Sequence, residues 1–201
     1  MESRTFSSSL LAQARAHVYT GNETELRLLF NALSREERIQ LILARSGESL
    51  CVKRPSSASK VVIHNCNLLT ESIASWFNGV TDYLSSYGVG IDEDIQVTDH
   101  SNDPVNYVTK PLVLASMLNK VDMAGSLITN GSDVNGCNSL GDTGLLEACF
   151  EGNYAVTEFL VTKGASINKQ NERGITGQYS LSQCECAQCV WTGVVRAQLA
   201  H

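Results

Sequence analysis

No apolar run in the 201 residues approaches the roughly 18 needed for a helix to cross a bilayer, so no membrane partner is expected. An apolar stretch near Met1 is missing too, which leaves no secretory h-region. Seven cysteines, an odd number at uneven spacings, do not read as a disulfide framework. A reducing cytosolic or nuclear setting is therefore expected, with the sequons at Asn22 and Asn130 silent. Basic charge is scarce: 15 Lys and Arg stand against 21 Asp and Glu, a formal charge of −6. With no basic stripe to neutralise phosphates, a general nucleic-acid binder is excluded and a basic partner is expected. His17, His64 and His100 fall in unrelated stretches, and no Ser-His-Asp or Cys-His arrangement emerges. Neither an enzyme nor a cofactor is expected.

What the chain does contain is a unit of 33 residues written twice between residues 102 and 171. Gly164 lands on Gly131, Leu160 on Leu127, Val156 on Met123, Ala148 on Ala115, Leu145 on Leu112 and Ile167 on Val134. Such self-similarity marks a repeat architecture, and this period with a T-P-L-x-x-A signature resembles the ankyrin repeat of a turn plus two helices. The signature reads Thr143-Gly144-Leu145-Leu146-Glu147-Ala148 and, one unit earlier, Lys110-Pro111-Leu112-Val113-Leu114-Ala115. Pro near the first turn suits a helix start, where an N–H lacks an intrahelical partner anyway. Leu145 and Ala148 share one helical face, and Val156, Phe159 and Leu160 recur at helical spacing on the second helix. Gly131 and Gly164 end that helix, where a left-handed residue is needed.

Upstream, residues 1–9 are polar and expected to be disordered, while two short helices about Gly21-Asn22 resemble a degenerate first repeat. Ser34-Arg35-Glu36-Glu37 has capping-box form and opens a further helix. Residues 45–60, rich in Ser and without a period, read as a linker and the weak point of the chain. From Val61 the pattern resumes, with Leu69, Val80, Leu84 and Ile91 at the recurrent apolar positions. Gly88 and Gly131 are 43 residues apart, ten more than one unit. The surplus falls in residues 92–107, which carry Asp92, Glu93, Asp94, Asp99 and Asp103 without a Lys or Arg. An acidic loop inserted at a repeat finger is a candidate binding element, its plainer reading being a solvated loop. After Asn168 the period fails, and residues 182–201 read as a tail.

The run Cys149-Phe150-Glu151-Gly152, with Thr143-Gly144-Leu145 before it and Glu158-Phe159-Leu160-Val161 after it, resembles the repeat of the feminization-one (Fem) proteins, TPLRxACFDGHLEIVKYLV. Lys110-Pro111-Leu112-Val113-Leu114-Ala115-Ser116 is similar to that family's PPLWAAS, and Ser34-Arg35-Glu36-Glu37 to its SKEE stretch. The resemblance implies a substrate receptor of a cullin-RING ubiquitin ligase, whose ankyrin groove holds the C-terminal tail of a target, often one ending in Arg. The acid of CFDG falls on Glu151, and the acid of the insertion has Asp103 as its nearest counterpart. Val113 stands for the Trp of PPLWAAS and Asp142 for the Ser before TPL. The implied peptide site is thus Glu151, Asp142 and Asp103, with Phe150 and Cys149 of the same motif. The cullin-docking region has no counterpart here, so ubiquitin ligase components are expected as partners only of a longer isoform.

Plainer readings stand beside these. Cys149 fits a small buried hydrophobe, and Glu151 fits a solvated face residue. Cys184, Cys186 and Cys189, with His201 beyond, offer zinc one C-x₂-C hook, a third thiolate and an unsupported fourth ligand. That cluster is the metal or redox alternative, incidental oxidisable thiols being the simpler meaning. The expected fold is therefore an all-α ankyrin solenoid over residues 10–181, of about four units, degenerate at both ends. Its expected role is protein binding, either Fem-like or as a generic ankyrin scaffold with another partner.

Overall fold

The computed structural model describes residues 8–55, 59–100, 104–177 and 179–180. The named elements are α1 (Ser8–Thr20), α2 (Glu23–Asn31), α3 (Arg35–Leu43), β1 (Ser49–Lys53), β2 (Lys60–His64), α4 (Leu68–Ser75), α5 (Asn78–Ser85), β3 (Ile95–Asp99), β4 (Val105–Thr109), α6 (Pro111–Met117), α7 (Val121–Thr129), α8 (Gly144–Phe150) and α9 (Tyr154–Thr162). The helix starts follow from local chemistry. Asn22, Ser34, Asn67 and Thr143 each cap one, the side chain accepting the backbone N–H of the residue three positions on. At Ser34 the Glu37 carboxylate also accepts the Ser34 N–H at 2.9 Å, completing the capping box. Pro111 opens α6. Gly131 and Gly164, just beyond α7 and α9, take φ of 105° and 87°, a region that glycine enters without strain.

Helices pair as α4/α5, α6/α7 and α8/α9, and the pairs stack through α4 on α6 and α6 on α8. Every recurrent leucine of the period is buried: Leu69, Leu112 and Leu145 on the first helices, Leu84, Leu127 and Leu160 on the second. Polar bonds tie one pair to the next. The Asn153 amide donates to the Ser116 and Met117 carbonyls at 2.9 and 3.0 Å, across the α6–α8 contact. Ahead of the stack, α1 packs against α4, where Arg15 Nε lies 3.0 Å from Glu71 Oε2.

The all-α expectation is wrong. The structure is mixed α/β, because β1 to β4 form an antiparallel sheet in the order β1-β2-β3-β4. The segment read as a linker supplies β1, and the segment read as an acidic loop supplies β3 and most of β4. The physical reason is alternation: Val52, Val61, Ile63, Ile95, Val97 and Tyr107 are buried on one face, between more exposed neighbours on each strand. The extra residues extend a finger into a hairpin, and its backbone groups are satisfied by pairing with the hairpin before it. Beyond β4 the row continues. Ser139 exchanges two hydrogen bonds with Val108, at 2.8 and 3.0 Å, and the Glu172 N–H donates to the Leu140 carbonyl at 3.2 Å. The short fingers are closed by the bridges Cys137–Thr143 and Gln170–Thr176, one period apart.

Candidate functional site

A recess of about 370 Å³ lies where the sheet meets α8, lined by Arg54, Asp99, Val105, Tyr107, Leu140, Asp142, Glu147, Phe150 and Arg173. Its residues come from both halves of the architecture. Arg54 follows the last residue of β1, and its N–H donates to the Ser59 carbonyl at 3.3 Å to close the hairpin end. Asp99 ends β3, in register with Val61 on β2 and Val105 on β4. Asp142 belongs to a short finger, while Glu147 and Glu151 lie one helical turn apart on α8, Glu151 as its C-cap. The stacking of α8 on the sheet row brings these acids to the hairpin arginine.

The Arg54 guanidinium sits between two carboxylates. Its Nη2 lies 2.6 Å from Asp99 Oδ2, and its Nη1 donates to Glu151 Oε1. All three side chains are largely buried, Glu151 most deeply. Burial works against the Arg54 charge, but Glu151 and then Asp99 more than offset it, so its pKa is raised. The contact is end-on rather than a bidentate fork, and among the described residues Arg54 Nε and Asp99 Oδ1 have no hydrogen-bond partner although buried. Glu147 accepts from the Asn138 amide at 3.2 Å. Burial and then the Asp142 charge push its pKa up to about 7. Burial and then the Glu147 charge likewise raise the Tyr107 phenol.

Of the residues expected at a peptide site, Glu151 holds Arg54, Asp142 lines the recess, and Phe150 is half exposed on its wall with the Arg173 guanidinium 6.0 Å from the ring centre. Asp142 is itself engaged, accepting from the Asn171 amide at 2.7 Å. Cys149 is buried in α8 and does not line the recess. Asp103 lies outside the described residues, as do Cys184, Cys186, Cys189 and His201. The other acids of the insertion do not form a free acidic loop. Asp92 accepts from Ser132, Glu93 pairs with Arg45, Asp94 with Lys110 and Asp99 with Arg54. Sequence reasoning named Asp99 among the acids of the insertion but did not single out Arg54, Tyr107, Glu147 or Arg173 as site residues. The i, i+4 spacing to Glu151 was a signal for Glu147; Arg54, 97 positions from Glu151, had none.

The outer face of the sheet carries a second polar row. Ser49 Oγ lies 2.8 Å from His64 Nδ1, His64 Nε2 lies 2.8 Å from Thr98 Oγ1, and Thr98 donates to Asn106 Oδ1 at 2.6 Å. Ser49 and His64, 15 positions apart, carried no signal of this contact. A hydroxyl stands where an activated serine would need a carboxylate behind the imidazole, so the row resembles a polar ladder rather than a triad.

Among the described residues no helix is long and apolar enough to cross a membrane. No curated protein matches the chain. Residues 112–161, from α6 into α9, match the family model described as ankyrin repeats (many copies), which supports the ankyrin-repeat superfamily and a protein–protein interaction module.

Proposed function

We propose that the recess between the sheet and α8 receives a basic segment of a protein partner, in its specific form a C-terminal Arg, as in the substrate-recognition region of a cullin-RING ubiquitin ligase receptor. The observation that carries this reading is the seating of the Arg54 guanidinium between Asp99 and Glu151. The recess has the size, the carboxylates and the aromatic wall that a planar guanidinium side chain requires. Glu151 meets the ligand's guanidinium, Asp142 and Glu147 add negative potential, and Phe150 packs along the aliphatic stem.

The test is a titration with labelled peptides that end in Arg, Lys or Ala, each with a free or an amidated C-terminus. Glu151→Gln weakens the Arg peptide by about 1.5–3 kcal/mol, the worth of a charged hydrogen bond. Replacing the peptide's Arg by Ala costs a similar amount, and the two changes together cost less than their sum because they delete one contact. Strict additivity, or indifference to both the terminal residue and its carboxylate, leaves the generic scaffold.

A further inference from the structure

Arg54 is supplied by the chain itself, from the end of a hairpin, to a recess built largely on α8 and the sheet. Its backbone N–H donates to the Ser59 carbonyl at 3.3 Å. Its side chain, by contrast, has left solvent for Asp99 and Glu151. The fit is incomplete. Each carboxylate takes a different Nη, and among the described residues Arg54 Nε and Asp99 Oδ1 are buried with no hydrogen-bond partner. Buried polar atoms without partners destabilise the state that contains them. A guanidinium entering from another chain, free to align a fork on Glu151, does not carry that constraint.

We propose that Arg54 is an internal occupant of the recess that a partner's arginine must displace, so that the Arg54 side chain gates binding. The proposal rests on the reading above, that the recess takes a basic segment. Exchange replaces one guanidinium by another, so neither Asp99 nor Glu151 is left as an unpaired buried charge. A neutral side chain has no such route, because expelling Arg54 without a cation takes the guanidinium away from two buried carboxylates. The gate therefore favours arginine over uncharged ends and lowers apparent affinity by the fraction of molecules in which Arg54 has left.

The experiment titrates a labelled peptide ending in a free Arg into the wild-type chain, Arg54→Ala and Arg54→Lys, and follows amide exchange of residues 49–53 in the wild-type chain with and without peptide. Arg54→Ala is expected to bind about tenfold or more tightly than wild type, with Arg54→Lys between them, since an ammonium holds the gate without a planar fork. Saturating peptide is expected to speed exchange in β1 as the hairpin end is released. Should Arg54→Ala fold poorly, Arg54→Lys and the wild-type exchange carry the decision. Binding of equal affinity by wild type and both variants, with β1 exchange unchanged, overturns the gate while the recess remains the peptide site. Absence of binding by all three overturns the recess as the peptide site, and the gate with it.

Discussion

Replacing Glu147 by Gln removes a carboxyl group that folding buries almost completely and whose pKa is raised from 4.5 to about 7. The unfolded chain ionises this group near 4.5, so between that pH and 7 the folded state holds the extra proton. Stability from this group is then present below about pH 4.5 and is lost as pH rises towards 7. A displacement of 2.5 pH units at about 1.4 kcal/mol each sets the loss at about 3 kcal/mol by pH 8. Gln keeps the shape and an acceptor for the Asn138 amide, which stands 3.2 Å from Glu147 Oε1. Denaturant unfolding of both proteins from pH 4.5 to 8.5 should show little difference at the acid end. The variant should become the more stable by up to about 3 kcal/mol at pH 8. A gap independent of pH refutes the reasoning, and so does a wild-type advantage that grows above pH 7. The latter would mean that Arg54 stabilises the Glu147 charge by more than burial and Asp142 oppose it.

Two further outcomes concern the scaffold. Arg15→Met leaves the Glu71 carboxylate buried without its cation, and denaturant unfolding at neutral pH should show a loss of about 3–5 kcal/mol, largely restored by adding Glu71→Leu. Leu145→Ala and Leu160→Ala each truncate a side chain with no exposed surface, and each should cost about 2–5 kcal/mol in the same assay. Losses below about 0.5 kcal/mol at both leucines would mean that these faces are not packed.

The helical units were legible because a stacked repeat must place the same residue type at the same buried position each time. The offset that aligned Leu112 with Leu145 and Leu127 with Leu160 therefore marked core positions directly. The strands carried a signal of equal physical standing, since Lys60–His64 and Val105–Thr109 are rich in β-branched residues and alternate in burial. Two features hid it. A five-residue strand is too short to outweigh a Ser-rich surrounding, and in the insertion the Asp92-Glu93-Asp94 run draws attention to charge although it precedes β3. Those acids then proved to be engaged, because Arg45 and Lys110 reach them from segments outside the window in which charges were counted. For the recess, Glu151 and Asp142 were reachable by resemblance. Arg54 was not reachable, since which hairpin end faces α8 depends on strand pairing that the 33-residue period does not encode.

The charge balance of the recess links its two halves. Asp99, Asp142, Glu147 and Glu151 stand against Arg54 and Arg173, four carboxyl groups to two guanidiniums. Below pH 7 Glu147 is mostly neutral and the excess is one negative charge; above it the excess is two. The repeat alone supplies Asp142, Glu147 and Glu151, a face that would attract any cation and repel none. The sheet adds Asp99 together with Arg54, which raises the number of acids and fills the place between two of them. A cation that only approaches the rim gains from the excess charge, with the salt dependence of an exposed contact. One that replaces Arg54 gains the buried carboxylates, where salt screens little. Selectivity for arginine over a diffuse basic charge is therefore a property of the hairpin rather than of the repeat. In a chain that lacks Arg54 the place between Asp99 and Glu151 stands open, so a terminal arginine should bind more tightly, while attraction for basic peptides at the rim persists.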